Sequence, residues 1–322
     1  MLLSCNREEE DNYSYYAIPP GFAIPVFPDD NQFTDSRFEL GRKLFYDPIL
    51  SRDSTISCAS CHKPEYAFTD RLPVSLGIMA RLGSRNAPSL GNVAYHPYLL
   101  REGGVPTLEM QVQVPIQEHN EFDDNILLIA DKLYRQEIYR YLSLKAYNRL
   151  PDPFVITRAI ATFERALITG NSSYDQYHQG DLSALSTSAL NGLRLFNSDR
   201  LKCSQCHSGF NFTNYEFLNN GLYENDPDPG RMQLTGKEVD RSLFKVPGLR
   251  NAEITFPYMH DGSIQTLDQV IRHYEKGGKA NIHKSKLLTG FTLLDSERAD
   301  LINFLKSLTD PSFINNPKFK IQ

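Results

Sequence analysis

The sequence predicts a mainly α-helical fold, built as two related halves with long loops, on three observations. The first is a pair of like frames, Cys58-Ala-Ser-Cys61-His62 and Cys203-Ser-Gln-Cys206-His207. The second is a weak repeat around them. Gly41-Arg42-Lys43-Leu44-Phe45-Tyr46 precedes the first frame and Gly192-Leu193-Arg194-Leu195-Phe196-Asn197 the second; Tyr66-Ala67-Phe68-Thr69-Asp70 and Phe210-Asn211-Phe212-Thr213-Asn214 follow them. The third is helical periodicity in the longest apolar stretches, with strand patterns short and scattered.

Taken in order, the helix from Phe154 to Ile168 follows Pro153, carries apolar residues three and four apart, and stops before Gly170. A stretch from Ser188 to Phe196 leads into the second frame. Asp295 is placed to cap the last helix, where Leu301, Ile302, Phe304, Leu305 and Leu308 form one face and Pro311 forbids continuation. Residues 225–230 read as a turn-rich loop and 171–186 as a linker. The organisation expected is a short tether over 1–17, an N-terminal half over 18–168 and a C-terminal half over 169–322.

C-x-x-C-H is the attachment pattern of c-type haem: two thiols form thioethers with the vinyl groups and the adjacent imidazole ligates the iron. Two complete copies make the reading specific. Structural zinc is the main competitor, but its halves rarely lie roughly 145 residues apart and do not require histidine after each second cysteine. A thioredoxin-like redox pair would need a βαβ context that neither copy has. Each half therefore reads as a cytochrome c-like haem domain, and the macrocycle itself supplies core for a loop-rich chain.

Composition excludes other classes. Of 322 residues, 34 are Lys or Arg and 39 Asp or Glu, giving a net charge of −5 without a basic block to follow a phosphate backbone, so nucleic acid is not an expected partner. No run reaches the roughly 20 apolar residues of a membrane-spanning helix. Leu3-Ser4-Cys5 looks like a lipobox without its preceding apolar region, which makes Cys5 a candidate lipid anchor. Haem c is attached outside the bacterial cytoplasm, so a periplasmic or envelope location is expected.

Beyond the haem frames, ordered blocks from about Gly41 to Leu308 resemble the bacterial dihaem cytochrome c peroxidases and their MauG-type relatives. They are Leu44-Phe45-Tyr46-Asp47-Pro48, Arg85-Asn86-Ala87-Pro88, Pro115-Ile116-Gln117 with Glu121 beyond, residues 244–251, and Pro257-Tyr258-Met259-His260-Asp261-Gly262. The resemblance implies two covalent haems, the first meeting peroxide and the second relaying electrons, with His62 and His207 as proximal ligands. It implies Glu121 as the distal carboxylate that shuttles a proton, Glu118 being the decoy. It also implies a Ca2+ site between the halves, from Asn86 and the carbonyls of Thr255 and Pro257, and it admits a homodimer.

Three positions depart from the family pattern. Where the resting peroxidases carry a histidine on the first haem, this chain has Ile78, beside Met79, so an open iron is expected. Tyr274 stands where ordinary peroxidases have methionine and MauG-like members a ligating tyrosine; an anionic phenolate favours oxidised iron. His273 and Met259 are the competing ligands. There is no tryptophan in the chain, and Arg101 takes the relay position between the haems, leaving Tyr95, Tyr98 or a direct path. The function expected is reduction of hydrogen peroxide with electrons from a small cytochrome c-like donor. The alternatives are a MauG-like oxidant of a partner protein and a dihaem electron carrier without catalysis.

Overall fold

The computed structural model describes Tyr15 and residues 17–321; Cys5 lies outside the described residues. Among these, seven helices have nine residues or more: α1 (Asp35–Tyr46), α2 (Ile126–Tyr134), α3 (Glu137–Tyr147), α4 (Pro153–Arg165), α5 (Thr187–Phe196), α6 (Leu267–Glu275) and α7 (Asp295–Lys306). The one ladder pairs β1 (Phe217–Leu218) antiparallel with β2 (Phe244–Lys245), and the remaining pairings are isolated bridges. No described helix is long and apolar enough to cross a membrane.

Local chemistry sets the helix limits. Asp152 accepts from the Val155 amide at 2.8 Å and Pro153 fills the first turn, where its missing N–H costs nothing. α4 ends at Arg165, three residues before the periodicity suggests, because the next amides turn back tightly, Leu167 to the Glu164 carbonyl and Ile168 to that of Ala166. Asp295 is the first residue of α7 and not its cap: Leu294 holds that place, and Glu297 accepts from its amide at 2.9 Å. Pro311, expected only to stop a helix, opens a one-turn helix capped by Asp310. The stretch read as a linker contains the helix Ser173–His178, whose Asp175 is buried in a bidentate pair with Arg250, both contacts 2.8 Å.

The repeat in the sequence is a repeat in packing. α1 crosses α4 at Gly41, where a Cβ would meet the Ala159 carbonyl oxygen at 1.9 Å; α5 crosses α7 at Gly192, where it would meet that of Asp300 at 2.0 Å. The absence of a side chain at these two points lets the helix backbones touch. Each crossing buries an aromatic triad. Phe45 lies 4.9 Å from Phe163 and 6.1 Å from Phe68, between ring centroids; Phe196 lies 5.0 Å from Phe304 and 6.1 Å from Phe212. The first triad belongs to a core of residues 33–167 that also takes in Phe313 and Phe319, so the chain's last segment returns to the opposite half; the second belongs to a core of residues 196–308.

Candidate functional site

The two haem frames occupy equivalent places beside these triads. Cys58–Cys61 forms one helical turn, with the Ser57 amide donating to Ser60 Oγ at 3.0 Å, so the two thiols three residues apart share a face. The His62 amide donates to the Cys58 carbonyl at 2.9 Å, and its Nδ1 lies 2.8 Å from the Phe68 carbonyl. A carbonyl only accepts, so Nδ1 carries the proton and Nε2 keeps its lone pair. In the second frame the His207 amide donates to the Cys203 carbonyl at 2.9 Å, and Nδ1 lies 3.1 Å from the carbonyls of both Phe212 and Pro247. Phe68 and Phe212 turn these carbonyls inward from left-handed backbone, φ +63° and +53°. Burial holds both imidazoles below their ordinary pKa and so in the neutral, ligating form. None of the four frame cysteines is in a disulfide among the described residues. Paired thiols on one face with a tautomer-locked imidazole beside them are the donor set of a c-type haem, and the chain presents it twice.

Glu121 faces the first frame. Its carbonyl accepts from the Ile78 amide at 3.0 Å, and Gly77 lies so close to this loop that a Cβ would meet the Asn120 oxygen at 1.9 Å. The Glu121 side chain is open to water yet deep among protein atoms; desolvation, then repulsion from Glu118, push its carboxyl up to about 7. Burial likewise raises the Cys61 thiol to about 11, with Asp70 and Glu121 among the charges acting on it. Ile78 is fully buried beside Glu121, whereas Met79 is 67% exposed with its sulfur toward Arg81. Glu164 of α4 was hidden in the sequence by the apolar stretch around it. It is buried, one carboxyl oxygen has no partner, and desolvation raises it to about 8.

At the second frame, the three ligand candidates converge on Asn220, a residue that reads from sequence as an ordinary turn asparagine. Its carbonyl lies 2.9 Å from His273 Nε2, which therefore carries the proton, and its Nδ2 lies 3.1 Å from the Met259 sulfur. Tyr274, on α6, is raised to about 12 by burial, with the Asn220 side chain opposing and Cys203 and Cys206 adding to the shift. Its phenol is thus near both second-frame thiols.

The Ca2+ donors are placed differently from the expectation. Asn86 Oδ1 and the Asn86 carbonyl both accept from Arg101, at 2.7 and 2.9 Å, while its Nδ2 donates to the Leu72 carbonyl at 2.9 Å. Asn86 reaches the loop bearing Thr255 and Pro257 only through its amide, which donates to the His260 carbonyl at 2.8 Å. The one side-chain oxygen of the set is engaged by a cation of the chain itself, so these residues do not fit the ion as they stand.

Residues 35–183 match the family model of the di-haem cytochrome c peroxidases. MauG of Methylorubrum extorquens is 34% identical over 90% of this chain and 83% of its own length. The cytochrome c551 peroxidase of Nitrosomonas europaea is 33% identical over 88% and 81%. Among solved structures, a MauG-like protein associated with microbial copper homeostasis superposes with a TM-score of 0.90 at 33% identity, covering 94% of this chain and 97% of that one. Two complete haem-attachment frames, one packing plan used twice, and this likeness over nearly the whole chain place the protein in the di-haem cytochrome c peroxidase family, together with MauG.

Proposed function

We propose that this chain reduces hydrogen peroxide to water in the bacterial envelope, as two cytochrome c-type domains drawing electrons from a small cytochrome c-like carrier. The observation that carries the reading is Glu121: a carboxyl poised near neutrality, directed at the first frame, with Ile78 beside it in place of a side chain able to ligate. The bound haems supply the iron that receives the peroxide oxygen and the path by which two electrons arrive. His62, fixed by the Phe68 carbonyl, would hold the iron of the first haem, and Glu121 would meet the substrate there. Glu121 takes the proton from one peroxide oxygen and returns it to the other as that oxygen leaves as water; with two electrons and two protons the second oxygen also becomes water. The test is Glu121→Gln, which keeps size and polarity but cannot accept a proton. Turnover should fall by about 10²–10⁴ with haem content unchanged; unchanged turnover removes Glu121 from the reaction.

A second reading, protein oxidation in the manner of MauG, has its own support in Tyr274, half-buried and close to Cys203 and Cys206. Peroxide added without an electron donor separates the two. Oxidising equivalents that persist for minutes and are lost faster in Tyr274→Phe favour the MauG-like reaction; rapid turnover with a reduced cytochrome, insensitive to Tyr274→Phe, favours the peroxidase.

A further inference from the structure

The joint between the halves is polar and mostly buried. Arg85 pairs with Asp228 across it, at 2.7 and 2.8 Å, and also with Glu102. Asp261 accepts from the Tyr223 hydroxyl at 2.6 Å, and His260 lies 3.5 Å from Asp226. Acidic groups thus outnumber Arg85 here, and Asp261 and Glu102 favour a second cation although burial and Arg85 oppose it. Arg101 is that cation: its backbone carbonyl accepts from the Lys245 amide of β2 at 2.7 Å, tying it to the second half, and its guanidinium reaches back to Asn86. Lys245 is directed elsewhere, to His96 Nδ1 at 3.3 Å and the Tyr98 carbonyl.

The orientation of Asn86 is unambiguous on chemical grounds. Its amide nitrogen faces a carbonyl, which only accepts, and its oxygen faces a guanidinium, which only donates. Arg101 contacts that side-chain oxygen and the carbonyl of the same residue together, gripping Asn86 as a small cation would grip two oxygens. A divalent ion added there would have to displace a guanidinium held by two hydrogen bonds, or sit against it and against Arg85. At a few ångströms in a buried joint such like charges repel strongly.

We propose that Arg101 is a built-in replacement for a metal ion at the joint between the two halves, and that the chain holds its halves together there without calcium. This positioning role is independent of whether the protein reduces peroxide or oxidises a partner. A guanidinium also carries its charge at every physiological pH and cannot be removed by a chelator.

The experiment uses the haem-loaded full chain. Metal content after desalting, the visible haem spectrum and the melting midpoint are measured with and without EGTA and with added Ca2+. For the natural chain the expected results are substoichiometric calcium and no change in spectrum or midpoint. Arg101→Gln, which frees the Asn86 oxygens, should gain one Ca2+ per chain and a midpoint that added Ca2+ raises by several degrees, while Arg101→Lys should stay as indifferent as the natural chain. One tightly held Ca2+ in the natural chain, or a spectrum that EGTA alters, would overturn the proposal, and this measurement decides even where Arg101→Gln does not fold. A natural chain free of calcium whose Arg101→Gln variant also ignores the ion would overturn it too, since the missing metal would then owe nothing to Arg101.

Discussion

A carboxyl with a pKa near 7 is an uncommon and sensitive instrument, and Glu121 has one because its surroundings penalise the anion twice, by desolvation and through Glu118. Below about pH 7 it is protonated and cannot take a proton from peroxide; above, it can. The specificity constant for peroxide should therefore rise with pH through about 7, and that step should vanish in Glu121→Gln. A profile with the same step in both would assign the titration to another group. The residues proposed to attach haem are legible from sequence because covalent chemistry would force them into contiguous frames: two thiols and an imidazole on one turn cannot be spread along the chain. Glu121 is not legible that way. It is one carboxylate among 39 acidic residues, and only the ordered blocks of the resemblance separate it from Glu118. Asn220 and the grip of Arg101 on Asn86 are less legible still, since each joins residues that only the tertiary fold brings together.

At the scale of elements, the weak repeat noticed around the frames has a mechanical cause. Gly41 and Gly192 are the points at which paired helices touch, and Phe45 and Phe196, four residues on, enter matching aromatic triads whose third members, Phe68 and Phe212, also supply the carbonyls that orient His62 and His207. Helix crossing, core and proposed haem ligand are thus one connected device. Replacing Gly41 by Ala sets two effects against each other. Helix propensity favours alanine by about 1 kcal/mol, but its Cβ would lie 1.9 Å from the Ala159 carbonyl oxygen and 3.0 Å from Phe163 Cβ, both on a buried helix that has little room to retreat. Overpacking of this kind costs about 1–3 kcal/mol. The clash should win, and Gly41→Ala should melt earlier and carry a perturbed first haem, with the second haem's spectrum unaffected. A variant as stable as the natural chain would show that the crossing yields. The element boundaries were less legible than the elements. Periodicity finds α4 and α5, but a backbone that tightens after Arg165 and a proline that starts a turn leave the same residues in the sequence as a longer helix and a stop.

Across the whole molecule, the two halves meet through charged and polar groups and through a chain end that crosses back. Asp310 sits where these connections converge. Its Oδ2 accepts from the Thr169 hydroxyl and from the amides of Gly170 and Asn171, each at 3.0 Å, at the passage from one half to the other. Its Oδ1 accepts from the amides of Ser312 and Phe313, at 3.0 and 3.1 Å, which start the segment that carries Phe313 into the first core. Its own amide donates to Asn251 Oδ1 at 2.8 Å, in the second half. Only an acceptor with two oxygens meets this demand, because every partner on both sides of the carboxylate is a donor. Asp310→Asn preserves volume but must turn an NH2 toward one set of donors, leaving buried groups facing each other without an acceptor. The loss should be about 2–4 kcal/mol, as expected for buried hydrogen bonds to a charged group. Because the affected contacts anchor both the start of the second half and the tail that carries Phe313 into the first core, the chemical denaturation midpoints followed at the two haems should fall together. If only one haem's transition moved, Asp310 would be a local cap for the turn at Pro311, and the coupling of the halves would rest on other contacts between them, the Arg85–Asp228 pair and the Arg101–Lys245 backbone bond among them.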